Sequence, residues 1–584
     1  MKSIGHLSQY ALADRDNTGQ YLDGSKSYKL HLPPNIPANN FWSLLVYDPQ
    51  TRSMLQTDQR FSSISSLRKD ISINPDSSVD VYFGPKPPAG KESNWIMTVP
   101  GKGWWLTLRL YGVLEPWFDK TWKPGEVELL EGPTETVNKL VKYKMTTDIP
   151  PSITTPDSVE TSLGTLRFFD GFPDAETARK VFDNLDFQRG MQVFLNALQA
   201  SGMYATRAGY RTFGPDNQTV LISDSFLDSR TLYLLANTET IYLTFWANTK
   251  EGPLVIEVPP DVLGFIDDFW SRFVTDMGRA GRDKGKGGKY LLLPPGYNGE
   301  VADPPTMGFI DMSGKYFNCI PSNDMSFYEE INQVVQEEPL EATDPEIRGL
   351  LASIGIQKGK PFAPDDRMKS ILTDAVNVGN ATARAITFNT RDQEAFIYPG
   401  SRWQLGYIGN DHEFSPDGVL NLDARTFFYY NATGITPAMS AKMVGIGSQY
   451  AFNGRDANGK SLDGSKNYRL HIPPNMPAKD FWSVCLYDPQ TRSLLQTDQR
   501  YPTISSQKEG IMVNADTSVD VYFGPEPPEG KEANWIQTIP GKGWFTLLRL
   551  YGPLEPWFDK TWQPGEITQL GITGGDDHAE GEVK

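Results

Sequence analysis

Five histidines are spread along the chain, at His6, His31, His412, His471 and His578. Carboxylates are therefore the abundant acid–base groups. Hydrolysis by two carboxylates needs a pair about 5–10 Å apart. Glu239 and Asp224 are the first pair to consider for cleaving a glycoside or amide bond. Glu239 lies in NTETIY (237–242), which runs into IYLTFWA (241–247), an apolar stretch read as a buried strand. A strand would place Asn237 and Glu239 on one face and Thr238 and Tyr242 on the other. Polar groups flanking an apolar strand can line a cleft. Turn and strand-end hydrogen bonding would account for the same residues.

A second constellation is Asn534, Trp535, Arg549 and Tyr551. Stacking and bidentate hydrogen bonds from such residues suit a sugar. They also suit a core, with Arg549 the buried partner of a carboxylate such as Asp488. Asp411, His412, Glu413 and Asp417 share the loop GNDHEFSPDG, where adjacent residues point apart and a solvated turn is expected. DRDNTGQYLDG (14–24) begins with calcium-loop spacing, but Ser25 stands where the closing Glu belongs, so a β-turn is expected. No cofactor is expected, and calcium is the one ion this loop brings into consideration. GRDKGKGGKY (281–290) lacks the Ser or Thr of a phosphate loop. No GxSxG elbow is present. Cys319 and Cys485 sit in apolar contexts outside any CxxC pair and read as buried free thiols.

Asn534, Trp535, Arg549 and Tyr551 recur as Asn94, Trp95, Arg109 and Tyr111, an offset of 440. The same offset relates YDPQTRSMLQTDQR (47–60) to YDPQTRSLLQTDQR (487–500), and EPWFDKTW (115–122) to 555–562. It holds from GHLSQY (5–10) to PGEVELL (124–130) without insertion or deletion. Loops ordinarily drift in length, so one structural unit is present twice. Each copy reads as short strands, YKLHLPP, FWSLLVYD, SSVDVYFGP and WWLTLRLYG, separated by DG, PG and GKG turns. That spacing points to a sandwich or jelly roll.

Between the copies the pattern is mixed. PDAETARKVFDNLDFQRGMQVFLNALQAS predicts one or two helices, with Asp174 as N-cap. TVLISD, TLYLLAN and LVIEVP read as strands, and PPDVLGFIDDFWSRFVTDMG as an amphipathic helix. DPEIRGLLASIGI and PDDRMKSILTDAVNVGNATARAI read as two more helices, and a strand-rich lead-in is expected over 395–440. At 584 residues three or four domains fit. The expected division is 1–130 for the first copy, 131–154 for a linker, 155–394 for an α+β middle domain, 395–570 for the second copy with its lead-in, and 571–584 for a disordered acidic tail. The fold class is mainly β with helical insertions, β-sandwich or jelly-roll-like.

The net charge of −17 argues against a nucleic-acid partner. No signal peptide is apparent and no apolar run approaches a bilayer span. The cytoplasm is the default location, with periplasmic or secreted the alternative for a trimmed chain. A homo-oligomer, or an intrachain pseudo-dimer of the repeats, is the expected assembly.

The middle resembles the bacterial domain of unknown function 1254 through NTETIY, PLVIEVPP and KYLLLPPGYNG. Glu239 stands where that family usually has Asp. The repeated unit resembles domain of unknown function 1214 through LDGSKNYRLHIPP, FWSVCLYD, Asn534-Trp535 and LRLYGP. The resemblance implies β-sandwich, jelly-roll-like domains with helical insertions and an extra N-terminal copy, and it implies no settled activity. Three functions remain open: binding of a glycan or small polar ligand in a cleft, a carboxylate-dependent hydrolase, and a structural or assembly role.

Overall fold

A computed structural model of the chain describes residues 4–130, 143–300 and 307–571. Part of the expected linker (131–142) and most of the expected tail (572–584) lie outside the described residues. The chain divides into two compact units, Met1–Leu185 and Asp186–Lys584.

In the first unit, eight strands of the first copy form two four-stranded sheets. They are β1 (Ser8–Ala13), β2 (Tyr28–Leu32), β3 (Ala38–Tyr47), β4 (Ser63–Ser65), β5 (Val79–Gly84), β6 (Trp95–Met97), β7 (Trp105–Val113) and β8 (Val127–Leu129). One sheet runs β1-β7-β3-β4 and the other β6-β5-β2-β8. Alternation along the strands explains the layering. Leu30 and Leu32 of β2, Val79, Val81 and Phe83 of β5, Trp42, Leu44 and Val46 of β3, and Leu106, Leu108 and Leu110 of β7 share one buried core. Each such side chain, removed from water, contributes about 1.5–3 kcal/mol. Tyr47, Thr107, Arg109 and Tyr111 are left for the other face of the first sheet.

The DG turns are fixed by crowding. A Cβ on Gly24 would stand 2.1 Å from the Val99 carbonyl oxygen, and one on Gly464 would stand 2.2 Å from that of Ile539. His31 Nδ1 bonds Asp80 Oδ1 at 2.7 Å, and His471 bonds Asp520 at 2.8 Å, so both strand histidines are held by a cross-strand carboxylate. The loop at 14–24 is an Asx turn, in which Asp16 Oδ1 accepts from the Thr18 and Gln20 N–H groups. A hairpin, Ser158–Thr161 with Gly164–Phe169, completes the unit. Asp174 caps the next helix, Ala175–Asn196, as the sequence predicts, accepting from Thr177 N at 2.7 Å.

In the second unit all eight strands recur at the offset of 440, from Ser448–Asn453 to Ile567–Gln569. A ninth strand, Gln404–Leu405, pairs with Ser448–Asn453 and widens that sheet to five. This dipeptide is the only strand of the expected strand-rich lead-in over 395–440. That segment instead carries the helices Leu422–Asn431 and Pro437–Ser440, each opened by a capping side chain, Asn421 and Thr436. The helices Pro345–Ser353 and Asp366–Phe388 agree with the sequence reading, with Asp344 and Asp365 as N-caps, whereas Leu198–Arg211 starts at the end of the predicted helical stretch and runs beyond it.

PPDVLGFIDDFWSRFVTDMG is not a helix. It is a β-hairpin, Leu263–Asp267 with Phe273–Gly278. Asp268 closes its turn by accepting from Trp270 N and Arg272 N, and Ser271 takes a positive φ of 54°. Apolar residues in this stretch satisfy a helical period too, so the turn-forming Asp decides. TLYLLAN makes only an isolated bridge at Leu232, and IYLTFWA is a three-residue strand, Leu243–Phe245, with Ile241 and Leu243 exposed rather than buried.

A single core joins the helices to the second copy. Phe194, Phe327, Leu372 and Phe427 pack in one cluster with Phe452 and Phe545 from the copy's five-stranded sheet and with Leu494 from the connection after Tyr487. Among the described residues no helix is long and apolar enough to cross a membrane.

Candidate functional site

NTETIY forms a turn and not a strand, so the expected sorting of its side chains onto two faces does not hold. Asn237 Oδ1 accepts from Glu239 N and from the N–H and hydroxyl of Thr240. Its amide then donates to Tyr242 Oη at 2.8 Å. A short polar side chain folding the backbone onto itself is the general mechanism of Asx turns.

This turn lies on the second copy's sheet. Arg549, 4% exposed, donates from Nη2 to Tyr487 Oη at 2.7 Å and to the carbonyls of Leu235 and Ala236. Tyr487 in turn donates to the Ala236 carbonyl at 2.7 Å. Asp488, the carboxylate expected beside Arg549, instead receives Lys542. The guanidinium sits over the Tyr450 ring, 5.4 Å from its centroid, and its Nε has no hydrogen-bond partner. Glu239 is buried, accepting from Thr238 Oγ1 at 2.5 Å and Thr503 Oγ1 at 2.8 Å. Cys485 Sγ lies 3.9 Å from its other oxygen, and burial first, then Glu239, pushes that thiol up to about 11.

Above this cluster opens a cavity of about 2820 Å³. Ligand pockets commonly hold about 300–1,000 Å³, so this one admits an extended ligand. Asn237, Tyr242, Arg549 and Tyr551 all line it. Glu239, Asp224, Asn534 and Trp535 do not line it. Asp224 is exposed, with its N–H on Ser313 Oγ. Asn534 spends its amide on the Met512 and Asp520 carbonyls and its oxygen on Met512 N, and Trp535 Nε1 donates to Gly524.

The cavity walls carry groups that sequence reasoning missed. Asp267 and Asp276, on the hairpin misread as a helix, both line it. Asp267 Oδ2 accepts from Ile435 N at 2.9 Å, and Thr436, the next residue, donates its hydroxyl to Asp276. Asp267 Oδ1 is buried without a hydrogen-bond partner. Burial pushes the Asp267 carboxyl up to about 8, with Asp268 and Asp276 adding to it, and burial raises Asp276 as well. Correct pairing of the two hairpin strands would have exposed this pair; a helical wheel hides it. At one rim Arg207 stands over the Phe269 ring at 4.4 Å and pairs with Glu337 at 2.8 Å. Among the described residues no group of three or more His, Cys, Asp or Glu could hold a metal ion. Cys319 is buried with a free thiol, as is Cys485.

A family profile described as "Protein of unknown function (DUF1214)" matches residues 8–115 and again 447–555. One described as "Protein of unknown function (DUF1254)" matches 217–324. No curated protein matches the chain. The crystal structure of the VPA0106 protein from Vibrio parahaemolyticus aligns with 66% of this chain and 100% of its own, at 14% identity and a TM-score of 0.40. The crystal structure of an uncharacterised protein from Burkholderia cenocepacia aligns with 97% of this chain and 76% of its own, at 12% identity and a TM-score of 0.20. Similarity at that level carries no argument about this chain.

Proposed function

The chain belongs to the DUF1254 and DUF1214 families, with the DUF1214 unit present twice, and from that premise we propose that it is a binding protein for a glycan or other small polar ligand. The observation that carries this reading is the convergence of Asn237, Tyr242, Arg549 and Tyr551 on one cavity. Aromatic walls beside a few fixed polar groups are the usual make-up of a ligand cleft. Arg549 supplies a buried cation with one N–H unused, and Tyr551, stacked on Phe481 at 4.1 Å between centroids, supplies a ring held in place.

A thermal-shift screen against glycans and polar metabolites tests it, since a ligand that binds only the folded state raises the melting temperature. The expected result is a hit whose shift shrinks in Tyr551→Phe. A screen without hits, or a hit indifferent to both Tyr551→Phe and Asn237→Ala, would sink the reading.

A carboxylate-dependent hydrolase is the second reading, favoured by one observation. Asp267 and Asp276 bond consecutive residues, Ile435 and Thr436, and both face the cavity. Asp276 pairs with Phe265, two residues before Asp267, so the two carboxylates share one hairpin with a bulge at Ile266–Asp267, and two-carboxylate hydrolysis needs such a pair about 5–10 Å apart. A carboxyl held up to about 8 is protonated at neutral pH and suits a general acid. Chromogenic glycosides and arylamides would test it. Turnover should fall above about pH 8 and vanish in Asp267→Asn; turnover that survives in that variant removes the reading.

A further inference from the structure

The segment Asp228–Glu239 shows what the outer face of the repeated sheet is built to hold. Five anchors of the second copy grip it. Arg500 Nε bonds Asp228 at 3.2 Å. The Arg492 carbonyl accepts from Leu235 N at 3.0 Å. Arg549 and Tyr487 take the Leu235 and Ala236 carbonyls, and Thr503 takes Glu239. Leu494 is 1% exposed and lies beside Leu232 of the segment, while Phe452, also 1% exposed, is covered by Phe388 and Phe427 of the helices.

Every one of these anchors has a counterpart 440 residues earlier: Arg60, Arg52, Tyr47, Arg109, and Ser63 in place of Thr503. Their backbone is set alike. Arg52 and Arg492 share a positive φ, 58° and 59°, a conformation that non-glycine residues rarely adopt. Arg109 also donates to the Tyr47 hydroxyl, as Arg549 does to Tyr487. The cover is what differs. Leu12, the counterpart of Phe452, is 67% exposed, and Met54, the counterpart of Leu494, is 51% exposed. Phe61 and Tyr10 are exposed beside them. Arg109 Nε has no hydrogen-bond partner.

We infer that the outer face of the first copy is a docking surface for a separate polypeptide, which enters with a segment built like Asp228–Glu239. The occupant's chemistry follows from the anchors. It offers a carboxylate to Arg60, an N–H to the Arg52 carbonyl and two consecutive backbone carbonyls to Arg109 and Tyr47. It also brings apolar side chains to cover Met54 and Phe61, as Leu232 and Phe226 lie beside their counterparts Leu494 and Tyr501. This chain's own Asp228–Glu239 is committed to the second copy, so it serves as the template and not the ligand.

A fluorescein-labelled synthetic peptide of residues 226–242, titrated into the full-length protein and read by anisotropy, tests the inference. Saturable binding is expected, at least tenfold weaker in Arg109→Ala. Met54→Asp should weaken it equally; that side chain is 51% exposed, so an unchanged thermal melt is expected and separates lost docking from lost folding. Absence of binding, or binding indifferent to both substitutions, overturns the inference. So does a concentration-dependent dimer in sedimentation velocity that Met54→Asp abolishes, since the face would then be a self-contact.

Discussion

The outer faces of the two repeated sheets carry the same arginines and tyrosines in opposite surroundings. In the second copy the face is roofed by the Asn237 turn, and Arg549 is buried against backbone carbonyls. In the first, Arg109 keeps its tyrosine while Leu12, Met54 and Phe61 meet solvent. The inner faces do not diverge: Trp104 and Trp544, Leu44 and Val484, Phe83 and Phe523 are all buried in equivalent cores. A sheet's core is thus specified by its own sequence, whereas the role of its outer face is set by what covers it.

Substitutions at paired positions can break this comparison. Phe452→Ala should destabilise by about 3–5 kcal/mol, the range for emptying an aromatic site in a core. Leu12→Ala should stay within about 0.5 kcal/mol, as exposed sites do. Equal losses in urea titration would mean that the first face is covered in solution. Gly24→Ala and Gly464→Ala probe the part that should not differ. Each drives a Cβ into a carbonyl oxygen, and each should cost about 1–3 kcal/mol, the usual range for overpacking. Arg549→Met leaves the Leu235 carbonyl and Tyr487 short of a donor and should cost about 1–3 kcal/mol. Arg109→Met, whose face has water at hand, should cost well under half of that by the same denaturant measurement.

A pH-dependent effect concerns the cavity-wall hairpin that carries Asp267. Asp267 has a folded value of about 8 against an unfolded value near 4. Its neutral form is favoured in the folded state, so its contribution is full below about pH 4 and is lost as pH rises towards 8. Melting temperatures of wild type and Asp267→Asn should therefore diverge from pH 5 to pH 8, with wild type falling faster. Parallel curves would show that this carboxyl is solvated.

The duplication, the strands of each copy and three long helical segments were legible because their signals are local: a constant offset, strict alternation, a capping Asp. The hairpin at Leu263–Gly278 was not, because its apolar residues fit both periods and only the Asx turn at Asp268 separates them. With the hairpin went Asp267 and Asp276. Asn237 with Tyr242, and Arg549 with Tyr551, stand out in two separate stretches, and their convergence across more than 300 residues of chain depends on tertiary packing that no window reveals. Asn534 and Trp535 are equally recognisable in sequence, yet they serve the backbone of their own sheet.

One asymmetry bears on handling the protein. In the second copy the strand Ser448–Asn453 has neighbours on both sides, Gln404–Leu405 and Phe545–Pro553. Among the described residues β1 is paired on one side only, with β7. Its sequence, SQYALA, contains no lysine or proline to guard the open side. Unpaired N–H and C=O groups in a row template strand addition between molecules. Aggregation on heating or at high concentration should start at this rim, and a lysine in place of Gln9 is the simplest protection.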